Sequence, residues 1–177
     1  MKVTEYVRLE TESLDDITAL LEGRVFHVTK RSNFDSIRSD GEIKANGDGT
    51  LETTFGYENA FFPKRDCVSL FDYRLEPPDE TFRMRLSPFK PAQSNPRSDG
   101  IAILFLKPEA YAALIPWTRC KEEDSSEMIV PYVEAGYSGS ISIDLIDEVI
   151  FLEIKEVPNS LSAQLRKAHR AARLENE

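Results

Sequence analysis

Histidine and cysteine are scarce in this chain, with two of each among 177 residues. Cys67 and Cys120 stand far apart and neither belongs to a Cys-x-x-Cys pair, while His27 and His169 are isolated. A transition-metal site needs several such ligands at short spacings, so we expect no metal and no zinc site. Nor do we expect a disulfide, because lone thiols in an unexported chain stay reduced. Long apolar runs are also missing. The longest, such as Ile101–Leu106 and Val149–Leu152, are far too short to cross a bilayer, and the opening Met-Lys-Val-Thr-Glu-Tyr-Val has no signal-peptide core. The expectation is a soluble, cytoplasmic protein without a membrane partner. Basic charge is in deficit: 22 Lys and Arg against 31 Asp and Glu give a formal −9 and a pI near 4.9. That balance disfavours nucleic acid as a partner without excluding it, since basic clusters remain at Lys64-Arg65, at Arg83 and Arg85, and near the C-terminus. Gly-x-Gly-x-x-Gly, P-loop, Gly-x-Ser-x-Gly and His-Glu-x-x-His motifs are all absent, which removes several catalytic schemes.

What is present suffices for one domain over residues 1–177, since 41% hydrophobic content can fill a sizeable core. Residues 3–9 alternate as a strand, with Glu5 interrupting the apolar face. Ser13 with Asp16 resembles a capping box, and Leu14, Ile17, Leu20 and Leu21 form the stripe of a short helix ending before Gly23. Strands are predicted at Glu42–Ala45, Asp66–Asp72, Ile101–Leu106 and Glu148–Ile154, with Ile141–Ile146 open between helix and strand. Phe55, Tyr57, Phe61 and Phe62 either fill the core or line a cleft. Residues 75–100 carry five prolines and read as a surface excursion with a short strand near 81–86. Pro108 opens a short helix, and Trp117 to Ser126 reads as a loop. Asn159 or Ser160 caps a last helix with Leu161, Leu165, Ala168 and Ala172 on one face.

The stretch from Arg24 to Gly41 is the most informative. Val25, Phe26 and Val28 favour a strand, Ser32 and Asp35 suit a helix start, Phe34 and Ile37 supply its buried stripe, and Gly41 suits its C′ position. His27 and Thr29 are thereby expected at a strand end beside a helix N-terminus, a setting that suits an anionic or polar ligand.

Phe26-His-Val-Thr29, followed by Asn33-Phe-Asp-Ser-Ile37 and Gly41, resembles the opening of the ADP-ribosyltransferase fold, and most of all the DarT-like group. That group closes its catalytic core with a glutamate on a strand reading Glu-x-x-Val-Pro, and this chain has Glu127-Met-Ile-Val-Pro131. The resemblance implies an α+β fold with a split, mostly antiparallel sheet and flanking helices. Residues 24–154 form the core, 1–23 an N-terminal strand and helix, and 155–177 a C-terminal helix. It implies NAD as substrate and mono-ADP-ribosyl transfer to a macromolecular acceptor, the glycosyltransferase chemistry of bacterial toxins and defence effectors. By resemblance, His27 bonds a ribose hydroxyl of NAD, the backbone at Val28 holds the nicotinamide amide, Thr29 adds a hydroxyl, and Glu127 is the catalytic carboxylate.

Two positions depart from that family. Ser125 stands where arginine-modifying members carry a second glutamate, which argues against arginine as the acceptor. Ser69 or Leu70 stands where the poly-ADP-ribosyltransferase branch has its stacking tyrosine, leaving Phe71 or Tyr73 to take over the stacking. The alternative reading is a non-catalytic module that retains the fold and binds a nucleotide or a protein.

Overall fold

The computed structural model describes residues 1–13, 15–51, 60–74, 100–155, 157, 160 and 164. The chain begins with β1 (Lys2–Leu9), α1 (Asp15–Leu21) and β2 (Val25–Lys30), then a 3-10 turn (Arg31–Asn33), α2 (Phe34–Asp40) and β3 (Glu42–Ile43). β4 (Cys67–Asp72) and β5 (Ile101–Leu106) lead to a 3-10 segment (Pro108–Ala113), β6 (Leu114–Pro116) and α3 (Arg119–Glu122). β7 (Glu134–Ser138), β8 (Ile141–Ser142) and β9 (Ile146–Lys155) follow. Seven strands make one sheet in the order β1-β9-β5-β2-β4-β7-β6, and β3 pairs with β8 in a small ribbon. In the large sheet β1 and β9 run parallel, and the other neighbours run antiparallel. This is the mixed, mostly antiparallel α+β arrangement expected.

Hydrophobic patterning explains the strand order. β5 is apolar at every position and buried at every position, as a strand covered on both faces must be. It lies between β9 and β2, whose apolar residues continue both faces. On one face Val25, Val68, Leu70, Ala102, Leu104 and Val149 meet Phe34 of α2, Ile43 and Ile141. On the other, Phe26, Val28, Ile101, Ile103, Phe105 and Leu152 meet Ile17 and Leu21 of α1. Helices of seven residues are unstable alone. Both persist by docking these apolar stripes. A third cluster, Phe61, Phe62, Cys67 and Cys120, covers the α1-side face beyond β4, so Phe61 and Phe62 are core residues. Both cysteines are buried free thiols.

Several expectations are corrected. Glu127–Pro131 is not a strand. Met128 makes an isolated bridge to Ala60, and β7 starts only at Glu134, because Pro131 lacks the N–H a ladder needs. Ser32 does not cap α2, which starts after a 3-10 turn without a side-chain cap. Ser13 does meet the start of α1, accepting from Asp15 N–H at 3.1 Å, and Gly41 ends α2 at φ 75°. The expected four-residue strand after Gly41 shrinks to Glu42–Ile43, and a short helix interrupts the loop expected from Trp117. Ile141–Ile146 resolves into two strand residues, a 3-10 turn and the start of β9. Leu14, Phe55, Tyr57, the proline-rich 75–99 stretch, Leu161, Leu165, Ala168, His169 and Ala172 lie outside the described residues.

The sheet narrows at one place. β2 pairs with β5 over five residues and β4 with β7 over five, yet β2 and β4 share only Val25–Asp72 and Phe26–Phe71. Past Phe26 the two strands form a fork.

Gly136 sets the fit of β7 under the third cluster. A Cβ there would lie 2.1 Å from Cδ1 of the fully buried Phe62, too close for any side-chain carbon. Gly136→Ala should therefore lower unfolding free energy by about 1–3 kcal/mol, the usual cost of overpacking. Urea denaturation of the variant beside wild type measures it.

Candidate functional site at the fork between two strands

His27 stands at the fork. Its backbone pairs with Leu104 of β5, and its Nδ1 lies 3.0 Å from the Ser69 carbonyl of β4. A carbonyl can only accept, so Nδ1 carries the proton and donates. Burial pushes the ring's pKa below its usual value, against a smaller upward pull from the Ser69 carbonyl, and neutral imidazole is therefore the form at pH 7. In that tautomer Nε2 offers a lone pair, and it has no hydrogen-bond partner among the described residues. Such a nitrogen can accept from a hydroxyl.

Val28 follows as the next contributor. The Arg24 carbonyl accepts from Tyr73 N–H at 2.9 Å, so even-numbered residues of β2 direct their N–H and C=O toward β4. Val28 pairs with Ile103 in register but has no register partner in β4. Its peptide groups thus point into the fork, while its side chain is buried against the α1 face. Thr29 is taken up structurally. It is 6% exposed, and its Oγ accepts from Asn33 Nδ2 at 2.9 Å, which ties the strand end to the turn before α2. Arg24 is likewise committed, with its guanidinium 3.5 Å over the Phe105 ring and paired with Glu148.

On β4, Ser69 carries a buried Oγ on the α1 side, the face of Cys67 and Phe71, without a hydrogen-bond partner among the described residues. A hydroxyl in that state costs on the order of 1–3 kcal/mol unless something binds it, and this one lies on the strand that borders the fork. Phe71 and Tyr73 do not project freely for stacking. Phe71 stacks on Phe26 at 5.4 Å and Tyr73 meets the same ring edge-on at 5.1 Å. Burial raises the Tyr73 phenol to about 12.

Glu127 lies elsewhere. Its carboxylate is held by Arg65, by Lys64 at 3.5 Å and by Ser125 Oγ at 3.0 Å. The Arg65 hydrogen bond depresses its pKa, followed by that from Ser125. Arg65 in turn lies over Phe61, on the α1-side face, whereas His27 leaves the sheet on the α2 side beside Leu104. No shared contact brings His27 and Glu127 together. An open depression of about 720 Å³ lies next to this ion-pair group, bordered by Lys44, Lys64 and Arg65. Its cations are matched by Asp40, Glu123 and Glu127, so it offers little net positive charge.

A second carboxyl that sequence reasoning passed over is Glu134, one strand beyond β4 at the closed end of the fork, where it leaves the sheet on the α1 side with Phe71 and not on the face of His27. It opens β7 opposite Phe71, and Phe71 is opposite Phe26, the neighbour of His27. Two inter-strand spacings, about 10 Å, separate the backbones of Glu134 and Phe26. A tight turn positions it: Glu134 N–H donates to the Val130 carbonyl at 3.0 Å, and Val130 N–H donates to the Glu134 carboxylate at 2.7 Å. Within that turn Tyr132 adopts φ 67°, a backbone conformation that bulky residues rarely take. Desolvation raises the Glu134 carboxyl from 4.5 to about 7, against a smaller opposing effect of the Val130 bond. A carboxyl titrating near neutrality next to an interrupted sheet is a common sign of a working group. The available signal was the single acid in Tyr-Val-Glu-Ala-Gly-Tyr, masked by the more conspicuous apolar triplet after Glu127.

Comparison of the chain with protein-family models, with curated proteins and with solved structures found no match.

The Glu134 shift fixes a pH dependence. Because the folded state holds this proton more tightly than the unfolded one, the group costs stability as pH rises from 4.5 to about 7. Glu134→Gln removes that cost. It should raise unfolding free energy at pH 8 by up to about 3 kcal/mol and change little at pH 4. Guanidinium titrations at the two pH values compare the proteins.

Proposed function

We propose that the fork binds NAD and that the protein is an NAD-dependent mono-ADP-ribosyltransferase acting on a macromolecular acceptor, as toxins and defence effectors of that kind do. The observation that carries this reading is the meeting at one sheet interruption of the neutral His27 ring and the inward-facing Val28 peptide groups. Those groups match what the nicotinamide riboside half of NAD requires: an acceptor for a ribose hydroxyl, and a donor and an acceptor for the amide.

Breaking the nicotinamide–ribose bond builds positive charge on the sugar, so a fixed carboxylate stabilises the transition state more than the ground state. Sequence resemblance favours Glu127 for that role and the buried, uncompensated carboxyl favours Glu134, both side chains lying on the α1 side of the sheet, the face opposite the His27 ring. In wild type Glu127 is engaged by two cations and stands apart from His27. Glu134 stands one strand beyond β4 and has no cationic partner among the described residues. If Glu134 is the working carboxylate, nicotinamide release at limiting NAD should increase as pH rises toward about 7, where the group ionises in the free protein.

The alternative, a non-catalytic module that keeps the fold and binds a nucleotide or protein, draws support from Ser69 or Leu70 in the tyrosine position and from the ion-pairing of Glu127. One assay separates the readings. Wild type incubated with labelled NAD and cell extract should release nicotinamide, Glu134→Gln should lose at least about a hundredfold in rate while still binding NAD, and Glu127→Gln should stay within a few-fold. Loss on Glu127→Gln alone would return the role to Glu127. Binding without release by wild type would support the non-catalytic module, and His27→Ala should weaken that binding by about tenfold, measured by calorimetry.

A further inference from the structure

β1 is the outer border of the large sheet, and on its inner side it pairs with β9 in unbroken register from Lys2 to Leu9. Glu10 N–H donates to the Lys155 carbonyl at 2.9 Å, so even-numbered residues address β9, and Val3, Glu5, Val7 and Leu9 direct their peptide groups outward. Leu9 confirms the phase. Its N–H donates to the Glu12 carboxylate at 2.7 Å and its carbonyl accepts from Glu12 N–H at 3.0 Å, which closes that end of the edge. The N–H groups of Val3, Glu5 and Val7 have no partner among the described residues.

Natural sheets protect such an edge with prolines, bulges, short length or outward charges. β1 has no proline and no bulge, and it runs for eight residues. Its charges are engaged within the chain: Lys2 with Glu148 at 2.8 Å, Glu5 with Arg31 at 2.7 Å, and Arg8 with Asp16. On the same face as the Arg31-paired Glu5, Val3 is 51%, Val7 47% and Leu9 41% exposed.

We propose that β1 pairs antiparallel with β1 of a second copy of this chain, joining the two sheets across a two-fold axis. A two-fold pairing closes on itself and uses one patch twice. The register with Glu5 opposite Val7 sets Val3 against Leu9 and Tyr6 against Tyr6, and it pairs the peptide groups of Glu5 and Val7 reciprocally, the Val7 carbonyl using the lone pair left free by its bond from Arg8 Nη1 at 3.2 Å. The register with Val3 opposite Val7 would set Glu5 against Glu5 and is disfavoured by like charge. An edge about 26 Å long buries less than the roughly 1,200 Å² of a stable interface. The dimer is therefore weak and depends on protein concentration.

Sedimentation velocity of the full chain from about 1 to about 200 µM reads this directly, since mass action drives the population toward dimer. Wild type should pass from monomer to dimer across that range. Val7→Pro removes an outward N–H, which an edge strand tolerates, and should weaken the dimer at least about tenfold with an unchanged thermal melt. Should Val7→Pro fail to fold, Val7→Glu takes its place by setting a carboxylate against Glu5. Wild type that stays monomeric throughout overturns the proposal, as does a folded Val7 variant that dimerises like wild type.

Discussion

The hydrogen bond from His27 Nδ1 to the Ser69 carbonyl is the contact on which the site depends. In a continuous ladder the next partner of Ser69 would be the backbone of Val28. Instead a side chain reaches across, the register pairs end at Phe26–Phe71, and the sheet opens. The same bond fixes the imidazole tautomer and leaves Nε2 as acceptor. One interaction therefore produces both the opening and its chemical character. The surrounding core makes the opening rigid, because Phe26, Phe71 and Tyr73 are packed together at its closed end.

Around that opening the two halves of the sheet have different supports. The β1-β9-β5-β2 half is sandwiched between α2 on one face and α1 on the other, through the two main apolar clusters. The β4-β7-β6 half is covered on the α1 side by irregular segments, with Phe62 lying directly on Gly136 and the Arg65 ion pairs binding the 119–127 loop to the turn at Pro63–Arg65. Ion pairs as exposed as Arg65–Glu123 are worth little individually. The Phe61–Phe62 packing is the stronger hold, and Glu127 reads most simply as part of that cover.

Much of this was legible from residues alone. An uninterrupted apolar run such as Ile101–Leu106 allows only a central strand, and Gly41 with its left-handed φ was marked by its place after Phe34 and Ile37. His27 was expected at a strand end beside a helix N-terminus, but it lies third of six in β2, with a 3-10 turn between the strand and α2. The rest depended on tertiary context. Thr29 looked like a ligand contact but satisfies Asn33, a pairing that spans four residues and leaves no pattern. Glu127 looked like a strand residue because Met-Ile-Val follows it, yet those residues stop at Pro131. Glu134 acquires its raised pKa only from burial against β4, and no local sequence feature encodes desolvation. The outward phase of β1 was likewise invisible, since alternation reveals two faces but not which edge stays unpaired.

The central claim is that the His27 ring is a neutral, preorganised acceptor at a ligand slot. Histidine-selective nitrogen NMR measures it most directly, with a His169→Gln background to assign the signals. The account predicts the Nδ1–H tautomer for His27, a pKa below 6.5, and a shift of the Nε2 resonance on adding NAD while Nδ1 stays fixed. A ring that titrates at or above 6.5, or an Nε2 resonance indifferent to NAD, contradicts it.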